Sequence, residues 1–195
     1  MSSASEPTYA PRRKNDPAAL RARILDAAFD LFQEQGYNAS SVHQIAARAS
    51  VTGGAFHYHF PTKKTLGLAV IGERVGTAVE QTWLEPVRTA ATGRDGILAV
   101  FQRLAEELDA QGSVRGCPVN NLTLELAFAD PDYRAELRSL FDRWKQTIAD
   151  RVEGEDAGAR ATMVIAAYSG AMAMAKVEQR GDPLRLCAQE LERLL

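Results

Sequence analysis

The chain has 195 residues, 46% of them hydrophobic and 25% charged, with a formal net charge of −2. That apolar content excludes a disordered chain, and the length suits one ordinary domain or two small ones sharing a core. The overall charge would argue against a nucleic-acid binder, but residues 1–66 hold eight Lys/Arg against five Asp/Glu, and the remainder fifteen against twenty.

A modestly basic head on an acidic body fits a module that meets a polyanion, joined to one that stays off it. The three histidines, His43, His57 and His59, all lie in the head. Two cysteines, Cys117 and Cys187, make neither a disulfide framework nor a zinc spacing. The N-terminus lacks the apolar core of a signal peptide. The longest apolar run, 163–175, is broken by Ser169 and Gly170 and is too short to span a bilayer. A cytoplasmic protein is expected.

Residues 1–16 are rich in Ser, Pro and charge, with Arg12, Arg13 and Lys14 near their end. They read as a disordered arm; a sharper reading has that arm reach a minor groove or phosphates. Both hold if the arm orders only on DNA. Asp16-Pro17 opens a first helix, with proline where its missing N–H costs nothing. Leu20, Ile24, Ala27, Ala28, Leu31 and Phe32 form its core stripe, and Gly36 ends it.

Ser41 followed by Gln44 is a capping box, and Val42, Ile45, Ala46 and Ala49 then recur at helical period. A short break puts Val51 in a polar corner. Thr52 caps a second short helix that carries Gly53, Gly54, Ala55, Phe56, His57, Tyr58 and His59 before Pro61 stops it. Helix, tight turn, helix is the helix-turn-helix arrangement. The second helix offers donors and stacking groups and no carboxylate, as a helix entering a polyanionic groove requires. Phe56 and Phe60 are expected to pack inward and hold it. His57 and His59 form an HxH pair, but residues two apart on a helix do not share a face, so DNA contact is the stronger reading than metal.

Across Ile24 to Leu66 the chain resembles the DNA-binding domain of the tetracycline-repressor (TetR) family of bacterial transcription regulators. The matching residues are Ile24-Leu25-Asp26-Ala27-Ala28, Leu31-Phe32, Gly36-Tyr37, Ser41-Val42, Ile45-Ala46, Gly54, Tyr58-His59-Phe60-Pro61, Lys63 and Leu66. One departure is His57, where the family usually has tyrosine. The resemblance implies an all-α fold of about nine helices. Residues 17–66 would form a three-helix DNA-binding domain, and residues 67–195 a helical ligand-binding and dimerisation domain. It implies double-stranded palindromic DNA as partner, read by Ser41, His43, Thr52, Gly53, Gly54, Ala55, His57, Tyr58, His59 and Lys63. Tyr58, His59 and Lys63 would meet phosphate, with Lys64 assisting or simply solvated. No cofactor, metal or catalytic residue is implied, and repressor is the family's majority outcome.

From Lys63 to about Trp83 a long helix keeps Leu66, Val70, Ile71, Val75 and Val79 on its inner side, then breaks around Pro86. In the family this helix links reader and body. Further helices are expected at about 94–110, 118–129, 131–152, 157–180 and 183–195. The 157–180 helix is apolar nearly all round and therefore needs covering on both sides. With its successor it is read as the surface of a homodimer, the alternative being that both simply close the monomer core. The body has no Ser/His/Asp set and no phosphate-binding glycine loop, so an enzyme is not expected. A small-molecule effector is expected among residues such as Phe101, Leu104, Cys117, Leu122, Phe141, Trp144, Tyr168 and Met172, which by base rate are also core residues. Cys117 lies at a helix start beside Arg115, and both features favour thiolate. The segments GCPVNNLTLELA and AMAKVEQ, with Lys176, resemble motifs of a TetR branch that responds to reactive electrophiles. A thiol-switch regulator acting through Cys117 is the alternative function.

Overall fold

The computed structural model describes residues 16–195, so the proposed N-terminal arm, apart from Asp16, lies outside the described residues. Among the described residues nine helices follow one another: α1 (Pro17–Gln35), α2 (Val42–Arg48), α3 (Gly53–His59), α4 (residues 63–89), α5 (Gly93–Gln111), α6 (Pro118–Leu126), α7 (Pro131–Ala149), α8 (Ala157–Glu178) and α9 (Asp182–Leu194). Among the described residues there is no strand, and no helix is long and apolar enough to cross a membrane.

The helix starts follow their local chemistry. Asp16 accepts from the N–H of Ala18 at 2.9 Å ahead of Pro17. Ser41 and Gln44 form the full capping box, and the Thr52 hydroxyl accepts from Ala55 N–H at 3.2 Å. Ile24, Leu25, Ala28, Leu31 and Phe32 of α1 are buried with Ile45, Ala46, Phe56 and Phe60, which makes the first three helices one small core.

The long linking helix runs six residues further than expected, to Thr89, and it is not regular. Two wider π-helical stretches, Val70–Val75 and Glu80–Leu84, interrupt its α-helical pieces. The reason is in the spacing. Ile71, Val75, Val79, Trp83 and Val87 recur every four residues, and all five are buried. In an α-helix of 3.6 residues per turn, such a row wanders around the axis by about 40° per step. A π turn takes in an extra residue and cancels the drift, so the row stays on the body. Pro86 falls two positions after the end of the second wide stretch, as the second residue of the last α-helical piece, where its missing N–H interrupts no regular ladder.

In the body, Trp83, Phe101, Trp144 and Tyr168 pack as one aromatic cluster. Trp83 lies 5.5 Å from Phe101, 5.3 Å from Trp144 and 4.9 Å from Tyr168, centroid to centroid. Phe141 stacks on the outer side of Trp144 at 6.1 Å. The α6 helix ends at Leu126, earlier than its apolar pattern suggested, and Phe128 just beyond it is 97% exposed.

Candidate nucleic-acid interface

The face formed by α2 and α3 is open. His43, Gly53, Gly54, His57 and Tyr58 are exposed, and Ala55 and His59 are half-buried. Tyr58 is 78% exposed, whereas Phe56 two positions earlier is fully buried. The inward phenylalanines anchor α3, and the tyrosine is left on the outer side. A Cβ added at Gly53 or Gly54 would meet nothing within 4 Å, so nothing in the chain fills the space these residues face. His59 lies edge-on to Tyr58 at 5.0 Å. The hydroxyls of Ser41 and Thr52 are exposed but already engaged in capping their helices. In this structure their first task is to fix where α2 and α3 begin.

The cations around this face are largely engaged inside the molecule. Arg48 pairs with Glu34 at 2.8 Å and Arg21 with Glu73 at 2.5 Å. Lys64 bridges Asp130 and Asp132 in the body, at 2.7 Å each, so it serves as a tie between the reader and α7. Lys63, expected as a phosphate clamp, is turned back. Its ammonium donates to the carbonyl of Tyr37 at 2.7 Å, lies 4.2 Å from that ring's centroid, and is held below the ordinary lysine range by burial. Helix α4 begins against the loop after α1, and a side chain at its first residue reaches that loop's carbonyls before it reaches solvent.

The loop between α1 and α2 is a junction that the sequence did not announce. Glu125 of α6 accepts the N–H of Tyr37 at 3.1 Å and of Asn38 at 2.9 Å. The hydroxyls of Tyr37 and Tyr133 meet at 2.6 Å, and burial raises both phenols above their usual range. Asn121, one turn before Glu125, donates to Gln33 of α1 at 2.9 Å. None of these pairs carries a local signal, because each joins residues more than eighty positions apart.

The candidate effector residues are placed as follows. Phe101, Leu122, Trp144 and Tyr168 are buried in the body core, and Leu104 and Phe141 are half-buried against it. A cleft of about 400 Å³ opens between α6 and α8, and of the expected set only Cys117 and Met172 join its wall. Thr123, Leu124, Ala173 and Lys176 are also part of that wall. The aromatic members fill the core because they fill each other's space.

Cys117 corrects a further expectation. Burial pushes its thiol up, and this outweighs the opposing hydrogen bonds from the N–H groups of Asn120 and Val119 and from the Tyr168 hydroxyl. The helix start acts in the expected direction but loses to desolvation. Arg115 points instead to Glu34 at 3.6 Å, and Lys176 lies 3.4 Å from the Asn121 side-chain oxygen.

A small helical head with an exposed recognition helix, tied to a larger all-helical body, is the architecture of a helix-turn-helix transcription regulator. Residues 24–70 match the model described as "Bacterial regulatory proteins, tetR family", and residues 94–190 the model described as "Transcriptional regulator LmrA/YxaF-like, C-terminal domain". The transcriptional regulator AcuR of Cereibacter sphaeroides is 30% identical over 185 residues, covering 89% of this chain and 84% of the relative. The HTH-type transcriptional repressor DhaR of Mycobacterium sp. strain GP1 is 28% identical over 182 residues, covering 85% and 86%. A crystal structure of regulatory protein TetR from Rhodobacter sphaeroides superposes with a TM-score of 0.79 at 25% identity, over 89% of this chain and 97% of that one. The reduced form of E. coli NemR has the same fold, with a TM-score of 0.79 at 20% identity over 90% and 97%. The chain belongs to the TetR family of transcriptional regulators.

Proposed function

We propose that the chain is a cytoplasmic homodimeric repressor that leaves a palindromic operator when a small molecule enters its body domain. The observation that carries the reading is Tyr58, 78% exposed on a carboxylate-free helix whose opposite side is anchored by a fully buried Phe56. Residues 17–66 act as reader and 67–195 as sensor and dimer domain. His43, Thr52, Gly53, Gly54, Ala55, His57, Tyr58 and His59 are the contact set, with Ser41 placing the start of α2. A single seven-residue recognition helix reaches few base edges, so two copies on a two-fold site are needed for useful specificity. The outer faces of α8 and α9 supply a surface for that pairing. Val177 is 85%, Leu186 62%, Met174 56% and Leu194 56% exposed, and apolar side chains in such a row favour cover by a second copy. Repression is favoured by the description of DhaR as a repressor. For the effector, the cleft between α6 and α8 is the place offered, with Cys117 as a packed wall residue; its raised thiol works against the thiol-switch alternative.

Selection of bound duplexes from a random pool, followed by titration over a range of salt, tests the reading. A two-fold site with half-sites about one helical turn or a multiple apart is expected, with a salt-dependent affinity. Tyr58→Ala should weaken that binding at least tenfold while leaving folding intact. Recovery of no preferred duplex, or tight binding by a monomer to an asymmetric site, would refute it.

A further inference from the structure

We propose that Glu125 is the positioning residue of the reader, and that α6 carries the state of the body cleft to the DNA-binding helices through it. Helix α6 has nine residues, and its side chains at four-residue spacing divide into two functional rows. Asn121 and Glu125 face the reader, where they hold Gln33, Tyr37 N–H and Asn38 N–H. Asn120 and Leu124 border the cleft, and Asn121 reaches it as well, so that one residue touches both the cleft and Gln33 of the reader. Whatever enters the cleft therefore presses on the helix whose other side grips the loop leading into α2.

The grip is built for this loop. Gly36 has φ +90°, and a Cβ there would stand 2.5 Å from the Glu125 Oε1 atom, so only glycine lets the carboxylate sit on the two N–H groups that follow. On the opposite side of the same peptide units, Lys63 of α4 holds the carbonyl of Tyr37 at 2.7 Å. Residues 37 and 38 are thus clamped between body and linking helix, three positions before the Ser41 cap that starts α2. A hydrogen bond of about 3 Å weakens steeply with a displacement of an ångström or with loss of alignment. A small turn or slide of α6 is enough to open the carboxylate side of the clamp. The other wall of the cleft is α8, a 22-residue helix packed against both α7 and α9, so the shorter α6 is the wall that yields.

The part concerning the cleft rests on the ligand-released reading above, and the test is chosen to keep the two apart. In the full chain carrying Cys117→Ala and Cys187→Ala, Ala173→Cys on the α8 wall is coupled to monobromobimane, a wedge of known size in place of an unidentified effector. The readout is amide hydrogen exchange at Tyr37 and Asn38, which requires no DNA. With Glu125 present, the wedge should speed exchange at both amides at least tenfold. In Glu125→Ala both amides should exchange fast with or without the wedge. In Glu125→Gln, which keeps the side-chain volume but has one accepting oxygen, one of the two amides should stay protected; this variant also decides the matter if Glu125→Ala fails to fold. The proposal is overturned if the wedge leaves both amides protected. It is overturned equally if the wedge acts as strongly in Glu125→Ala and Glu125→Gln as in the parent. Failure to select any duplex would remove the repressor reading but leave the exchange result standing.

Discussion

Replacing Gly36 by alanine tests the reader–body junction through its energetics. At φ +90° and ψ 160°, Gly36 occupies a region that is essentially reserved for glycine, and a side chain there costs about 1–3 kcal/mol in backbone strain. The new Cβ would also sit 2.5 Å from Glu125 Oε1, so the carboxylate must leave. Hydrogen bonds to a charged group contribute about 1.5–3 kcal/mol each. Because the Asn38 contact is solvent-exposed and the Tyr37 contact only partly buried, about 2 kcal/mol is a fair figure for the pair. Gly36→Ala should therefore destabilise the protein by about 3–5 kcal/mol. With a urea m-value of about 2.5 kcal/mol/M, the unfolding midpoint falls by about 1–2 M. The measurement must be made at one protein concentration, since association would add to apparent stability. In a Glu125→Ala background only the strain remains, and the same substitution should cost about 1–3 kcal/mol, leaving a coupling of about 2 kcal/mol in the double-mutant cycle. An equal cost in both backgrounds would show that the carboxylate does not depend on Gly36 as described.

Lys63→Met removes a charged donor from the Tyr37 carbonyl and should lower stability by about 1.5–3 kcal/mol in urea melts; an unchanged midpoint would return Lys63 to a solvent or phosphate role. In native protein at neutral pH, Cys187, which is half-buried, should react with a maleimide faster than the buried Cys117; peptide mass spectrometry that finds Cys117 modified first would contradict its placement. Acid should loosen the ties between α4 and its neighbours. Arg21 holds the Glu73 carboxyl below its ordinary 4.5, and Lys64 holds Asp130 below 3.8. Each depressed carboxylate contributes stability that is present above its unfolded value and is lost as pH falls through the folded one. Stability should thus decline as pH drops below about 4.5, and Glu73→Gln should flatten that decline; a parallel decline in the variant would assign it to other groups.

The reader was legible because its signals are local. Asp16-Pro17, the Ser41–Gln44 box, Thr52 and Pro61 each act within four residues, and the buried Phe56 beside the exposed Tyr58 follows from helical period alone. The four-residue recurrence from Ile71 to Val79 was equally visible, but its meaning, a widened helix, emerges only when the row must stay against a flat body. The inward turn of Lys63 was not legible because its carbonyl partners lie about twenty-six positions earlier, in a loop with no periodicity to reveal its path. Phe101, Trp144 and Tyr168 are interior, as their place in the apolar pattern implied, whereas Phe128 falls just past the end of α6 and is exposed. Whether an interior aromatic borders a void or a neighbour depends on pair distances such as Trp83 to Tyr168, and composition is silent on those. Cys117 was misjudged in sign because the helix-start and charge effects could be read from adjacent residues, whereas its burial could not.

The widened turns of α4 also bear on how this chain tolerates insertions and deletions. Removing one residue from Val70–Val75 would let that stretch relax into ordinary α-helix with the side chains beyond it held close to their present directions, because the wide turn is what takes up the extra residue. Removing one from an ordinary α-helical piece such as Lys63–Ala69 would instead rotate everything beyond it by about 100°, so that Trp83 would leave the aromatic cluster and Val87 would face water. Length changes in relatives should accordingly gather at the connections 112–117 and 150–156 and, within residues 63–89, only at the two wide stretches.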